Sequence, residues 1–70
     1  MDSIYPNLGQ ELDKIGITVA HLATALNIPK ESVSSKLRGD SPWLLSEVIT
    51  ICRLLNNSDV NFLFLRLDSN

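Results

Sequence analysis

Cysteine is all but missing: Cys52 is the only one in 70 residues, so no intrachain disulfide can form and no thiolate set for zinc exists. It reads as a small core residue. Histidine is as scarce. His21 stands alone, with no second histidine or acidic partner at metal-ligand spacing, and reads as a surface or phosphate-facing side chain. Serines are plentiful, yet none has a histidine and a carboxylate in a nucleophilic arrangement. The expectation is a protein that is not an enzyme and takes no cofactor, metal or small-molecule substrate. No apolar run approaches the ~20 residues that span a bilayer, and the first residues lack a basic region followed by an apolar stretch. A membrane partner is therefore not expected, and the expected localisation is cytoplasmic. Excess positive charge is lacking too. Six Lys and Arg against eight Asp and Glu give a net charge of −2 and a pI near 5.0, whereas nucleic-acid-binding domains are usually basic.

What the chain does have is apolar content, 44% with leucine prominent, enough for a packed core. At this length, residues 1–70 make one domain with one core. The spacing predicts five helices. Asn7, with Gln10 three residues on, reads as the cap of a first helix that turns Leu8, Leu12 and Ile15 inward and stops at Gly16. Thr18 caps a second, with Val19, Leu22, Ala23 and Leu26 at i, i+3, i+4, i+7 spacing, and Asn27 tolerates the left-handed backbone that ends it. Pro29 opens a third helix through Arg38, ended by Gly39, in which only Val33 and Leu37 point inward. After the Asp40-Ser41-Pro42 turn, Trp43 is expected over the edge of the core. A fourth helix then carries Leu45, Val48, Ile49, Cys52 and Leu55 inward. Ser58 caps a last short helix through Phe62-Leu63-Phe64-Leu65, whose large apolar residues either close the core or form a dimer face.

The informative stretch is Thr18 to Gly39, TVAHLATALNIPKESVSSKLRG. It reads as two short helices joined by a tight turn, the second with a polar outer face. From Lys30 to Arg38 three basic residues face one acidic, a local +2, so the rest of the chain carries −4. With one helix before the pair, and SPWLLSEVITICRLLN then SDVNFLF after it, the segment from about Asn7 to Phe64 resembles the phage repressor/Cro family of helix-turn-helix proteins, the XRE-type group. Its flavour is that of short regulators of Gram-positive temperate phages, the modulator-of-repression type among them.

The resemblance implies an all-α, compact five-helix domain of the lambda repressor-like fold, working in the host bacterial cytoplasm on the lysis/lysogeny switch. It implies a recognition helix at about Pro29–Arg38 in the major groove of operator DNA. Lys30, Glu31, Ser32 and Ser35 then fall where relatives read bases, and Lys36 and Arg38 where a phosphate contact helps. Thr18 would offer its hydroxyl and backbone N–H to a phosphate. Three positions depart from the family. Val19 stands where a glutamine is common, Asn27 replaces the usual turn glycine, and Leu44 replaces a capping Thr or Ser. Two apolar residues on an acidic body, with Phe62 and Leu65 near the C-terminus, suit a different partner, the phage repressor protein itself. Charge complementarity would then steer the encounter. Operator DNA and a repressor are thus the two expected partners, with the protein acting as a homodimer or heterodimer.

Overall fold

Five helices follow one another, with no strand among the described residues, 3–67 of a computed structural model. The all-helical, five-helix expectation holds. The α1 helix spans Pro6–Lys14, α2 Val19–Leu26, α3 Lys30–Leu37, α4 Leu45–Leu55 and α5 Val60–Leu63. No helix among the described residues is long and apolar enough to cross a membrane.

Helix α1 starts at Pro6, whose fixed φ and missing N–H suit a first helical position. The expected Asn7 cap is not formed: Tyr5 is the N-cap residue, and no side chain caps. Asn7 lies inside the helix, where its amide donates to the Phe62 carbonyl at 3.0 Å. It thus ties α1 to α5 instead of ending α1. Leu8 and Leu12 are fully buried, but Ile15 is 53% exposed. The helix has ended at Lys14, so Ile15 no longer follows the inward stripe.

The centre of the core is Leu8, Leu12, Leu22, Val33, Leu37 and Ile51, each at most 1% exposed. Leu22 and Ala23 from α2 meet Val33 and Leu37 from α3 in one cluster, and small Ala23 lets the two helices approach. At the rim, Tyr5, Trp43 and Phe64 pack edge-to-face in a triangle, with centroids 5.9–6.4 Å apart. Trp43 therefore does sit over the edge of the core. Its buried indole N–H finds no acceptor among the described residues, a cost of about 1–3 kcal/mol. Two ring pairs of about 0.5–1.5 kcal/mol each work against that cost.

The chain before α1 is clamped from two sides. Ile4 N–H donates to the Leu37 carbonyl at 2.9 Å, and Leu67 N–H donates to the Ile4 carbonyl at 2.7 Å. Gly39 lies under this clamp at φ +84°, where an added Cβ would come within 2.5 Å of Ile4 Cδ1. Gly16 has a similar φ, +75°, but open space around it. Gly16→Ala should therefore cost only the left-handed backbone penalty, about 1–2 kcal/mol. Gly39→Ala should cost the same penalty plus the shift of the Ile4 Cδ1 methyl, a flexible side-chain end, so its excess over Gly16→Ala in urea unfolding should be small. A loss several kcal/mol larger at Gly39 would show that the Ile4 side chain cannot swing aside.

Helix α5 is shorter than the sequence suggests. Asp59, not Ser58, is its N-cap residue, accepting from Phe62 N–H at 3.1 Å, and the helix closes at Leu63. Leu63 is fully buried, Phe62 and Leu65 are exposed, and Phe64 joins the aromatic triangle.

The largest correction concerns α4. Its expected inward face was Leu45, Val48, Ile49, Cys52 and Leu55. Leu45 is instead 76% exposed and Ile49 44% exposed, while Glu47 and Ile51 are buried. Val48, Cys52 and Leu55 are half-buried. The helix is turned by about one residue, ~100°, from the face that the apolar spacing selects. Glu47 explains the turn. Its carboxylate accepts the Leu44 N–H at 2.9 Å and pairs with the Lys36 ammonium. Reaching back in this way, it forms the glutamate half of a capping box, while Leu44 supplies no side-chain acceptor for the other half.

Candidate functional site

Helices α2 and α3 form the expected pair, and the turn between them is built as its residues dictate. Asn27 takes the left-handed conformation, φ 59° and ψ 45°. Pro29, extended at ψ 153°, is the N-cap residue of α3 and not its first residue. At the start of α2, the Thr18 hydroxyl accepts from His21 N–H at 3.2 Å, and His21 Nδ1 accepts from Thr18 N–H at 3.4 Å. This reciprocal cap gives His21 a structural role at the surface. It also takes up the backbone N–H that Thr18 was expected to offer to a phosphate, leaving its hydroxyl proton as the available donor.

The seven residues expected to read DNA do not share one face. Lys30, Glu31 and Arg38 are exposed, and Ser34 joins them in lining one shallow depression of about 340 Å³. The exposed side chains of α3 and its C-cap are therefore Lys30, Glu31 and Arg38, with half-buried Ser34 between them. Ser34 was missed by the sequence reading, although its spacing four from Lys30 and from Arg38 puts it on their line. Ser32 is half-buried. Ser35 is half-buried as well and accepts from the Ser41 hydroxyl at 3.1 Å, which ties α3 to the following turn and corrects its place on the reading face.

Lys36 is the strongest correction. Its side chain is only 11% exposed. The ammonium donates to Glu47 Oε1 and lies 5.9 Å from the Trp43 ring centroid. An opposite charge and a π-face both hold it inward, so it serves the joint between α3 and α4 and offers nothing to a phosphate. Arg38 is exposed but paired, its Nε donating to Asp40 Oδ2 at 3.1 Å. With Lys36 cancelled by Glu47, the exposed charges of α3 and its turn are Lys30 and Arg38 against Glu31 and Asp40. They sum to zero. The local +2 of the sequence is thus not a property of the surface.

The residues expected to bind a protein partner divide differently. Leu44 (57%), Phe62 (42%) and Leu65 (58%) are exposed. Val19 is half-buried and packed against the core, so it is a partner-facing residue only in part. A further apolar surface, which the sequence reading assigned to the core, lies along α4. Leu45, Val48, Ile49 and Cys52 with Val60 line an open groove of about 450 Å³. Among the described residues, no group of three His, Cys, Asp or Glu is placed to hold a metal ion. No family model, no curated protein and no solved structure matches this chain.

Proposed function

We propose that this protein is a non-enzymatic regulator of the phage repressor/Cro kind. In this reading it seats its α2–α3 surface, together with exposed Leu44 ahead of α4, on the phage's repressor protein and does not grip operator DNA by itself. It acts in the host bacterial cytoplasm, and the direction of its effect is set by whether it covers the repressor's own DNA-reading face. The observation that carries the reading is the cancelled charge on α3. Each phosphate neutralised on DNA needs a free cation, and affinity built that way falls steeply with salt. Here the exposed cations Lys30 and Arg38 have Glu31 and Asp40 beside them. A surface of mixed sign suits a protein face carrying the opposite arrangement, where charge sets register and encounter rate.

Fluorescence anisotropy of a labelled operator duplex across a salt series tests this. The protein alone should give no salt-sensitive binding, while its addition should change the duplex affinity of the neighbouring repressor. Tight binding by the protein alone, weakening steeply with salt, would overturn the reading. One observation favours the DNA reading as the second choice: Lys30 and Glu31 are exposed in the first turn of α3, and the Thr18 hydroxyl, which accepts from His21 N–H, keeps its own proton to donate.

Leu44→Glu should weaken the complex with the repressor tenfold or more, equivalent to ~1.4 kcal/mol. Its thermal midpoint should not move, because the Leu44 side chain is exposed and caps nothing. Unchanged affinity by calorimetry would remove Leu44 from the interface.

A further inference from the structure

The exposed charges on α3 and the turn after it differ in what they are free to do. Arg38 and Asp40 already hold each other, Nε to Oδ2 at 3.1 Å. Lys30 and Glu31 have no ion-pair partner among the described residues. Both are exposed, and both line the shallow depression that Ser34 and Arg38 share. Glu31 is thus the anion of this face whose charge is not matched within the chain.

Local stability gives a carboxylate one reason to be there. Glu31 lies in the first turn of α3, where the helix dipole favours a negative charge. That effect is the same whatever approaches the face. The effect on the approaching molecule is not. A duplex brings one phosphate charge about every 1.7 Å of its axis, and an unmatched carboxylate beside Lys30 repels it. A protein that brings an arginine or lysine to the same place finds in Glu31 an opposite charge with no competitor. Specificity is a difference of affinities, and an unpaired charge set against the wrong partner enlarges that difference.

We infer, on the footing of the repressor-binding reading, that Glu31 is the specificity-determining residue of the α2–α3 surface. It repels the phosphates of DNA and receives a cationic side chain of the repressor. Lys30 and Glu31 together ask for an anion and a cation side by side on the partner, which fixes the register of the complex. The operator-reading alternative gives Glu31 the opposite task, accepting from a cytosine amino group. The two roles differ in sign. A cytosine reader loses duplex affinity in Glu31→Lys, whereas a phosphate repeller gains it.

The test compares the full chain with Glu31→Lys, Glu31→Gln and Glu11→Lys. Anisotropy titrations use a labelled operator duplex and an unrelated duplex of equal length, and calorimetry measures the complex with the repressor. Glu11, on α1 and paired with Lys14, gives the same change in net charge outside α3. Glu31→Lys is expected to bind both duplexes about tenfold more tightly than the parent at ~50 mM salt. About 3.5-fold of that gain should disappear by ~200 mM, the response of one added phosphate contact. The same variant should bind the repressor about tenfold more weakly. Glu31→Gln should lie between, and Glu11→Lys should stay near the parent in both assays. Trp43 emission in urea shows that each variant folds and measures the helix-dipole contribution separately.

Unchanged or reduced duplex affinity in Glu31→Lys would overturn the assignment. An equal gain in Glu11→Lys would do the same, because net charge alone would then account for it. So would a repressor complex that Glu31→Lys leaves intact. Failure of the repressor-binding reading itself is seen in the parent, as tight duplex binding or as no repressor complex. The change from parent to Glu31→Lys on the duplexes still decides whether Glu31 excludes phosphate.

Discussion

Replacing Lys36 by glutamate is expected to leave the protein largely unfolded at room temperature. The Lys36 and Glu47 side chains are 11% and 7% exposed. Water therefore does little to stabilise either charge once its partner is gone. Removing one member of a buried pair costs about 3–5 kcal/mol, and facing it with a like charge costs more. A domain of 70 residues has a total stability of only about 3.5–10 kcal/mol at the usual ~0.05–0.15 kcal/mol per residue. The loss also spreads. Glu47 holds the Leu44 N–H that starts α4, and the Lys36 ammonium sits by the Trp43 ring. Urea unfolding followed by the emission of Trp43, the single tryptophan, measures it directly. Lys36→Glu should show no cooperative transition, or one lowered by more than about 2 M at the ~1 kcal/mol/M slope of a small domain. Lys36→Arg should retain most of the stability. A Lys36→Glu protein that melts like the parent would mean that the ion pair contributes nothing. The same result bears on function. A DNA-binding assay with this variant reports folding and not contact, whereas Lys30 and Arg38 are exposed and suit that experiment.

Much of the fold was legible because several signals agreed at one place. At the α2–α3 turn, Thr18, Asn27, Pro29 and the 3.6-residue spacing of Leu22 and Leu26 all point to two helices and a break. Each does locally what its chemistry dictates. Lys36 and Ser35 were misread because local sequence carries a charge or a hydroxyl but not its partner. Glu47, eleven residues away, cancels one, and Ser41 occupies the other. The candidate site was legible in position, the outer face of α3, and not in character. Its charge balance depends on which residues tertiary contacts remove from it. Asn7 shows the same rule for capping: its best acceptor is the Phe62 carbonyl, 55 residues on, and Pro6 starts the helix without it.

Ile51→Ala should cost about 2–5 kcal/mol, the usual loss for a truncated core isoleucine, while Ile49→Ala should cost less than ~1 kcal/mol. The pair measures the orientation of α4. This helix is apolar almost all round, with Leu45, Val48, Ile49, Ile51, Cys52, Leu54 and Leu55 in eleven residues, so spacing supports two inward faces. One is Leu45, Ile49 and Cys52; the other is Glu47 and Ile51, with Val48 and Leu55 shared between them. Hydropathy favours the first, because the second contains a carboxylate. The structure takes the second, with Ile51 fully buried and Ile49 44% exposed. Burying Glu47 is tolerable only because Lys36 and the Leu44 N–H meet it, as a buried charge must be paired and hydrogen-bonded. The face left outside is then apolar, and it becomes the groove. If Ile49→Ala proved the more costly of the two in urea, α4 would be turned the other way. Glu47 would then be a surface residue, and Lys36 would be released to the outer face of α3. The near-neutral charge on which the protein-binding reading rests would disappear with it. Two alanine substitutions, neither of them in the proposed repressor-binding face, thus decide whether α3 presents a balanced surface or a basic one.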